Sequence, residues 1–303
     1  MRQVGMGRSI STSLILFSMV ALAACTAQPP LPAKAIELNA EGGRALAQGN
    51  LAVAEARLAV ALEYSPRFVE AWVNLGQVEL RRGNFEQARR DLQRAIDLNQ
   101  DIPAPHHALG LLAESEGRGE DAERHYREAL KVDPGFAPAR ANLARQLFSR
   151  RQYENAREQY SRLVAVAPGE IEGWSGEVEA LLALGRMSEA HAFLARAKER
   201  FGEVGPIVLL EARDNLERGD WRNAEAALAS VASGDDRARA ASAWGWIAVA
   251  RLGLGDLDGA VQAAQASLAI DSDEPVARYA LRMVGTRGSG ALISRPTAEE
   301  TTP

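Results

Sequence analysis

The fold of this chain is decided by residues 71–101, which read AWVNLGQVELRRGNFEQARRDLQRAIDLNQD. The second half of the stretch places Ala88, Leu92 and Ala95 at the i, i+4, i+7 spacing of one helix face. Gly83 interrupts the apolar pattern, and a glycine can adopt the positive φ that commonly ends a helix. The stretch therefore predicts two helices joined by a tight turn.

The same pattern returns every 34 residues. Repeats are predicted to start at residues 35, 69, 103, 137, 171, 205 and, two residues late, at 241. One phase of the period always carries a small residue: Ala54, Ala88, Ala122, Ala156, Ala190, Ala224 and Ala260. Five residues earlier stands a glycine, replaced by Arg151 in the fourth repeat: Gly49, Gly83, Gly117, Gly185, Gly219 and Gly255. A period of this length is typical of a solenoid, in which each repeat buries its apolar face only against its neighbours.

The repeats resemble the tetratricopeptide repeat, a family whose repeat is a pair of antiparallel helices. In the second repeat the resemblance is carried by Trp72, Leu75, Gly76, Gly83, Phe85, Ala88, Leu92 and Ala95. In the third it is carried by Leu109, Gly110, Ala122, Tyr126, Ala129 and Pro134. It covers roughly residues 35–274 and implies an all-α fold, an α-solenoid of about seven helix-turn-helix repeats. Residues 275–284 are predicted to form a capping helix, and residues 285–303, rich in Gly, Ser, Thr and Pro, a disordered tail.

The amino-terminal segment is predicted to be a signal peptide over residues 1–24. A positive start is followed by an apolar run that is short for a membrane-spanning helix. The run ends in Leu22-Ala23-Ala24-Cys25, which resembles the lipobox of bacterial lipoproteins and implies that the Cys25 thiol is acylated. Thr26 after the cysteine implies sorting to the outer membrane, facing the periplasm. Residues 25–34 then form a lipidated, Pro-rich tether; the alternative is that Cys25, the only cysteine, is a buried thiol.

The charge balance argues against a nucleic-acid partner. The 303 residues carry a formal net charge of −5 at pH 7, and no basic stripe with interleaved aromatics occurs. The fourth repeat stands apart, because residues 137–170 hold six arginines against three acids. Those arginines form either a solvated helix face with local ion pairs or a docking site for an acidic partner segment.

No constellation of residues points to catalysis, a metal or a cofactor. The sequence has no HExxH, P-loop or GxSxG motif. His106 and His107 are adjacent and diverge by about 100° on a helix, so they do not readily bind one ion. Asp271, Asp273 and Glu274 lack the spacing of a calcium loop and are better explained as a cap for the last helix. We therefore expect a protein that is not an enzyme.

The family resemblance implies a concave groove lined by the first helix of each repeat. Positions 5, 9 and 12 of the repeat share one face of that helix. The candidate binding residues on it are Val73, Gln77, Leu80, His107, Leu111, Arg145, Phe148, Glu179, Leu182, Arg213 and Leu216. Position 12 is apolar in six of the seven repeats. It is either partly buried against the neighbouring helix or forms an apolar strip that accepts an amphipathic or extended partner segment.

Three glutamates occupy position 7, where the family usually has a buried leucine: Glu41, Glu177 and Glu211. A buried unpaired carboxylate is costly. Two explanations are favoured: the repeat register shifts locally by one residue, so that Leu210 takes the buried apolar position, or the glutamates are exposed to solvent. The alternatives are that each glutamate pairs with a cation or that it faces the groove.

Two functional hypotheses follow. The first is a membrane-anchored adaptor that holds a partner protein in envelope assembly, similar to lipoproteins that assist pilus or secretin assembly (pilotin-like and Flp/Tad-pilus types) or recruit cell-wall enzymes. The second is a polysaccharide- or solute-binding module of an export apparatus. A sugar groove should expose aromatic faces, and among the groove residues only Phe148 and His107 qualify. The oligomeric state is left open.

Overall fold

The computed structural model describes residues 30–287, which divide into two compact units. Residues 30–112 form the N-terminal unit and residues 113–287 the C-terminal unit. The predicted signal peptide, Cys25, most of the tether and residues 288–303 lie outside the described residues.

The predicted all-helical repeat fold is confirmed, because the described residues form fifteen helices and no strand. In chain order they are α1 (Ala33–Ala47), α2 (Leu51–Tyr64), α3 (Val69–Arg82), α4 (Phe85–Leu98), α5 (Pro103–Ser115), α6 (Gly119–Val132), α7 (Ala137–Ser149), α8 (Tyr153–Val166), α9 (Ile171–Ala183), α10 (Met187–Phe201), α11 (Gly205–Glu217), α12 (Trp221–Ala232), α13 (Arg237–Leu254), α14 (Leu257–Ile270) and α15 (Pro275–Arg287).

In the N-terminal unit, glycines on the first helices allow the second helices to approach closely. Helix α1 packs on α2 and on α3, and α3 packs on α4. A Cβ on Gly42 would lie 2.7 Å from Cγ of Leu58, and a Cβ on Gly76 would lie 2.7 Å from Cγ of Leu92. Both leucines are fully buried. Each hairpin is therefore closed by a leucine that rests on the backbone of the preceding helix.

The turn inside each hairpin uses a left-handed residue. Gly83 ends α3 with φ of 80°, and its backbone N–H bonds to the carbonyl of Leu80. The fourth repeat keeps this geometry without glycine, since Arg151 has φ of 60°. The backbone of the turn thus follows the same path in each repeat, although Arg151, which is not glycine, adopts a left-handed conformation that is unfavourable for it.

In the C-terminal unit, large side chains lie on small residues of the adjoining helix. A Cβ on Gly176 would overlap the ring of Tyr160, and one on Gly253 would overlap the ring of Trp221. First helices α7, α9, α11 and α13 also contact one another in sequence. Where the third repeat has Gly119 in place of a bulky apolar residue, the side chain of Gln146 occupies the space and donates to the Gly119 carbonyl at 3.4 Å.

Helix α15 packs against both helices of the last hairpin, α13 and α14. Its N-cap is Glu274, whose Oε2 accepts from the backbone N–H of Ala277 at 2.6 Å, as the capping interpretation of that acidic run anticipated. A Cβ on Gly245 would lie 2.7 Å from the same Oε2, so the glycine makes room for the buried carboxyl.

Three predicted boundaries need correction. The capping helix continues to Arg287 rather than ending at 284, so residues 285–287 are helical and not part of a disordered tail. Helix α13 starts at Arg237, four residues before the predicted repeat start at 241, because Asp236 caps it by accepting from the N–H of Arg239. Helix α1 begins at Ala33, inside the segment predicted as tether, directly after Pro32.

Adjacent glycines in α1 allow a matched test of the packing. Gly42→Ala and Gly43→Ala gain the same helix propensity, about 0.5–1 kcal/mol. The new methyl group of Gly42→Ala clashes with Leu58, which costs about 1–3 kcal/mol. Gly43→Ala has no such clash, because a Cβ on Gly43 would lie 3.8 Å from the nearest atom, Asn74 Nδ2. We expect urea denaturation to show Gly43→Ala stabilised and Gly42→Ala destabilised. Equal stability of the two variants would contradict the proposed contact.

Candidate partner-binding face

Each unit has its own first-helix face, the side of its first helices that carries the predicted groove residues. In the N-terminal unit this face lies on α1, α3 and the part of α5 up to Leu112, and in the C-terminal unit it lies on α7, α9 and α11. The N-terminal face includes a pair of amides. Asn74 Nδ2 donates to Asn39 Oδ1 of the preceding first helix at 2.9 Å, and Gly43 beside them leaves space above the amides. Amide side chains donate and accept, so this pair can bond both groups of a peptide backbone.

The predicted groove residues of the N-terminal unit differ in exposure. Val73 is buried against Leu92 and Leu109 of the same apolar cluster, so it cannot contact a partner in this arrangement. The half-buried residues are Gln77, Leu80, His107 and Leu111. The accessible part of the face is therefore a mixture of amide, imidazole and aliphatic groups.

In the C-terminal unit the first-helix face is built around Arg145. Its Nη2 donates to Asn142 Oδ1 at 2.6 Å, and it pairs with Glu172 Oε1 of the next first helix at 3.1 Å. Arg145 remains largely exposed. Phe148, one turn further on, is half-buried with its ring edge-to-face to Tyr153 at a centroid distance of 5.2 Å.

Glu179 and Arg213 continue the face on α9 and α11. Both are half-buried. Burial raises the pKa of the Glu179 carboxyl, and the positive charge of Arg213 partly offsets that shift. The face in this unit thus alternates in charge, from Arg145 to Glu172 and from Glu179 to Arg213.

The apolar strip, one of the two interpretations of position 12, is wrong for four of its six apolar members, because Leu46 and Leu252 are 5% and 2% exposed and Leu182 and Leu216 are also buried. Leu182 is 5% exposed and packs with Trp174 and Leu194, and Leu216 is 6% exposed and packs with Leu228. Partial burial against neighbouring helices, the other interpretation of the pattern, describes both. The side chains point between helices because each hairpin must bury apolar surface against the next.

Three arginines of the fourth repeat, Arg150, Arg157 and Arg162, pair with carboxylates of this protein. Arg150 Nη1 pairs with Glu123 at 2.9 Å, and Arg157 Nη1 pairs with Glu177 at 3.4 Å, so carboxylates of both adjacent repeats are used. Arg162 pairs with Glu158 one turn away on its own helix. The local excess of positive charge therefore links neighbouring repeats.

Each of the three position-7 glutamates has a cationic partner. Glu41 pairs with Arg57 at 3.1 Å and Glu211 with Lys198 at 2.6 Å. Glu177, only 4% exposed, pairs with Arg157, and burial raises the pKa of its carboxyl. Solvent exposure is thus the wrong explanation for Glu177. Pairing holds for all three glutamates, because a buried carboxylate needs a nearby positive charge. In the sixth repeat the predicted slip also agrees with the structure, since Leu210 is only 4% exposed while Glu211 is half-buried.

Sequence reasoning missed Asn74 and Glu172. They occupy positions 6 and 2 of their repeats, beside the sampled positions 5 and 9. Positions 2, 6 and 9 lie on one side of a helix by the i, i+3, i+4 rule, so a wider sampling of the same face would have found both.

Within residues 30–287 no three His, Cys, Asp or Glu side chains are grouped so as to hold a metal ion. None of the helices in that range combines the length and apolarity that crossing a bilayer requires.

Comparison with known proteins identifies repeats of one kind along most of the chain. One tetratricopeptide repeat family model matches residues 39–105 and 209–275, and a second matches residues 113–176. Type IV pilus assembly protein PilF of Pseudomonas aeruginosa is 29% identical over 153 residues, which are 48% of this chain and 59% of PilF. The match therefore spans less than two thirds of that relative.

Two solved structures share the fold. A tetratricopeptide repeat protein from Parabacteroides merdae is 16% identical with a TM-score of 0.61, covering 84% of this chain and all of the other. PilW, described as a widely conserved type IV pilus biogenesis factor, is 15% identical with a TM-score of 0.57, covering 70% of this chain and 98% of PilW. At these identities the likeness extends to the fold.

One buried carboxyl lies away from the first-helix face, on second helix α4. Asp91 is 3% exposed and accepts from Gln87 Nε2 at 2.7 Å through Oδ1, while Oδ2 is buried without a hydrogen bond. Burial raises the pKa of Asp91 to about 6, and the nearby Glu79 carboxylate adds to the rise.

The raised pKa makes Asp91 a source of pH-dependent instability. Below about pH 4 Asp91 is protonated in both states and costs nothing. Between about pH 4 and 6 the folded state holds the proton more tightly, so stability falls as pH rises; above pH 6 the full penalty, about 1–3 kcal/mol, is present. We expect Asp91→Asn to stabilise the protein by about that amount at pH 7.5 and by little at pH 3.5, measured by urea denaturation.

The control is Asp97→Asn on the same helix, since exposed Asp97 accepts from Gln93 at 3.0 Å with the same i, i+4 geometry. We expect a change within about 0.5 kcal/mol at both pH values. A gain for Asp91→Asn that is equal at the two pH values would contradict the burial argument.

Proposed function

Because the chain belongs to the tetratricopeptide repeat family, we propose that it is a protein-binding scaffold of the bacterial cell envelope that holds an extended partner segment on its first-helix face during pilus, secretin or cell-wall assembly. The observation that carries the envelope assignment is the 29% identity to a type IV pilus assembly protein over 153 residues. The PilW fold, from a pilus biogenesis factor, agrees with it.

The chemistry of the face supports an extended segment as the ligand. In the C-terminal unit, Arg145 and Glu172 present both charges, and half-buried Phe148 provides a local apolar contact. Such groups bond the backbone and the polar side chains of a strand-like segment. The N-terminal unit by itself offers the amides of Asn39 and Asn74 on adjacent helices and half-buried Leu80. The polysaccharide alternative is less well supported, because Phe148 packs against Tyr153 instead of exposing its ring face.

The proposal includes anchoring of the scaffold to the outer membrane through acylated Cys25, on the periplasmic side. Helix α1 begins eight residues after that cysteine. At about 3.3 Å per residue, the intervening chain spans no more than roughly 30 Å. The first repeat would therefore remain close to the bilayer surface.

We expect Cys25→Ser to release the protein from the membrane fraction without changing its helical content, because the acyl chains supply the anchoring. Fractionation of cells followed by circular dichroism of the released protein tests this. If the variant stays in the membrane fraction, the lipid anchor is contradicted. The proposal that the protein binds a partner segment does not depend on this result.

We expect Arg145→Glu to reduce partner capture at least about tenfold, since it replaces a charge-assisted donor by a like charge beside Glu172. The measurement is the yield of a crosslinked envelope protein, identified by mass spectrometry, from intact cells. The matched control is Arg162→Glu, an equally exposed arginine with one carboxylate partner on second helix α8. Equal yields from the two variants would contradict binding on the first-helix face.

A further inference from the structure

Two arginines on α10 lie over a platform of aromatic rings. The guanidinium carbon of Arg196 is 5.5 Å from the ring centroid of Trp174 and 5.1 Å from that of Phe193. That of Arg200 is 6.0 Å from Trp174 and 5.8 Å from Phe201. These distances are those of cation–π contacts, which orient a guanidinium without consuming its N–H groups.

The platform is held rigidly by one backbone carbonyl. The Pro168 carbonyl accepts from Trp174 Nε1 at 3.1 Å and from Arg200 Nε at 2.5 Å. Trp174 is only 6% exposed and packs edge-to-face with Phe201 at 6.1 Å. The Arg200 guanidinium is therefore held by a hydrogen bond as well as by the rings, whereas the Arg196 guanidinium is held by its ring contacts.

Neither arginine forms a direct ion pair with a carboxylate among the described residues, in contrast to Arg145, Arg157 and Arg186 nearby, although the charge of Arg196 acts at longer range to lower the pKa of the Glu177 carboxyl. Arg196 and Arg200 are one helical turn apart, so their like charges repel. An arrangement that keeps two exposed, pre-oriented and mutually repelling guanidiniums is completed by an anion.

A cavity adjoins the two arginines. Its volume is about 630 Å³, and it is lined by Gly169, Trp174, Arg196, Glu199, Arg200 and Phe201. The cavity is a wide depression that opens onto solvent. The aromatic walls accept aliphatic carbon, and the guanidinium forks match carboxylate geometry.

We propose that Arg196 and Arg200 form a second binding site, away from the first-helix face, for an acidic segment of a partner protein whose carboxylates bond the two guanidiniums. The depression is open to solvent, so the side chains of a docked segment can reach both guanidiniums. An anionic bilayer instead presents headgroups to a broad basic surface, which a chain of net charge −5 does not provide.

The test uses the full chain in non-ionic detergent and isothermal titration with a capped hexapeptide of alternating glutamate and leucine. We expect binding of this peptide and none of its glutamine–leucine counterpart. The double substitution Arg196→Gln with Arg200→Gln should weaken binding at least about tenfold. Arg222→Gln with Arg237→Gln, which removes the same charge at two exposed positions, should leave it unchanged.

Glu199→Gln separates recognition from folding. Removing this carboxylate from the cavity wall should strengthen glutamate-peptide binding by about two- to fivefold, and a gain of affinity cannot come from unfolding. The proposed site is wrong if both double substitutions weaken peptide binding equally. It is also wrong if binding survives Arg196→Gln with Arg200→Gln. The last part of the test uses phosphatidylglycerol vesicles. If the parent chain binds the vesicles but not the peptide, and Arg196→Gln with Arg200→Gln abolishes vesicle binding, the arginines bind a lipid surface and the proposal is overturned.

Discussion

The structure depends on close approach between helices at positions that carry no side chain or a very small one. Leu58 and Leu92 rest on Gly42 and Gly76, and the ring of Trp221 lies on Gly253. A single helical hairpin buries too little apolar surface to be stable alone, so each one must fit closely against its neighbours. In the N-terminal unit the two glycines are 34 residues apart, so the same fit repeats in successive hairpins.

Ion pairs between repeats form a second layer of organisation. Arg150 contacts Glu123, and Arg157 contacts Glu177, in each case across a repeat boundary. These pairs satisfy carboxylates that packing has partly removed from water. Arg196 and Arg200 differ from these arginines, because neither forms a direct ion pair with a carboxylate among the described residues.

The first-helix face and the aromatic–arginine platform share helix α9 but differ in chemistry. The face around Arg145 and Glu172 carries both signs of charge and suits the backbone and polar side chains of an extended segment. The platform around Trp174 carries two cations over apolar rings. A scaffold with two such surfaces could hold two partners, or two parts of one partner, with separable affinities.

The repeat period, the turn positions and the helical class could be determined from the sequence by itself. They are local properties: Gly83 marks a turn because of its own backbone freedom, and Ala88, Leu92 and Ala95 mark a helix face through their spacing. Only the tertiary structure decided which groups are available. Leu182 shares the repeat position of Phe148, yet Leu182 is buried and Phe148 half-buried, and Glu177 is tolerated because Arg157, twenty residues away, reaches it. The exposure of a side chain and its charge pairing depend on which helices lie next to it in space, and the repeat period of the sequence does not carry that information.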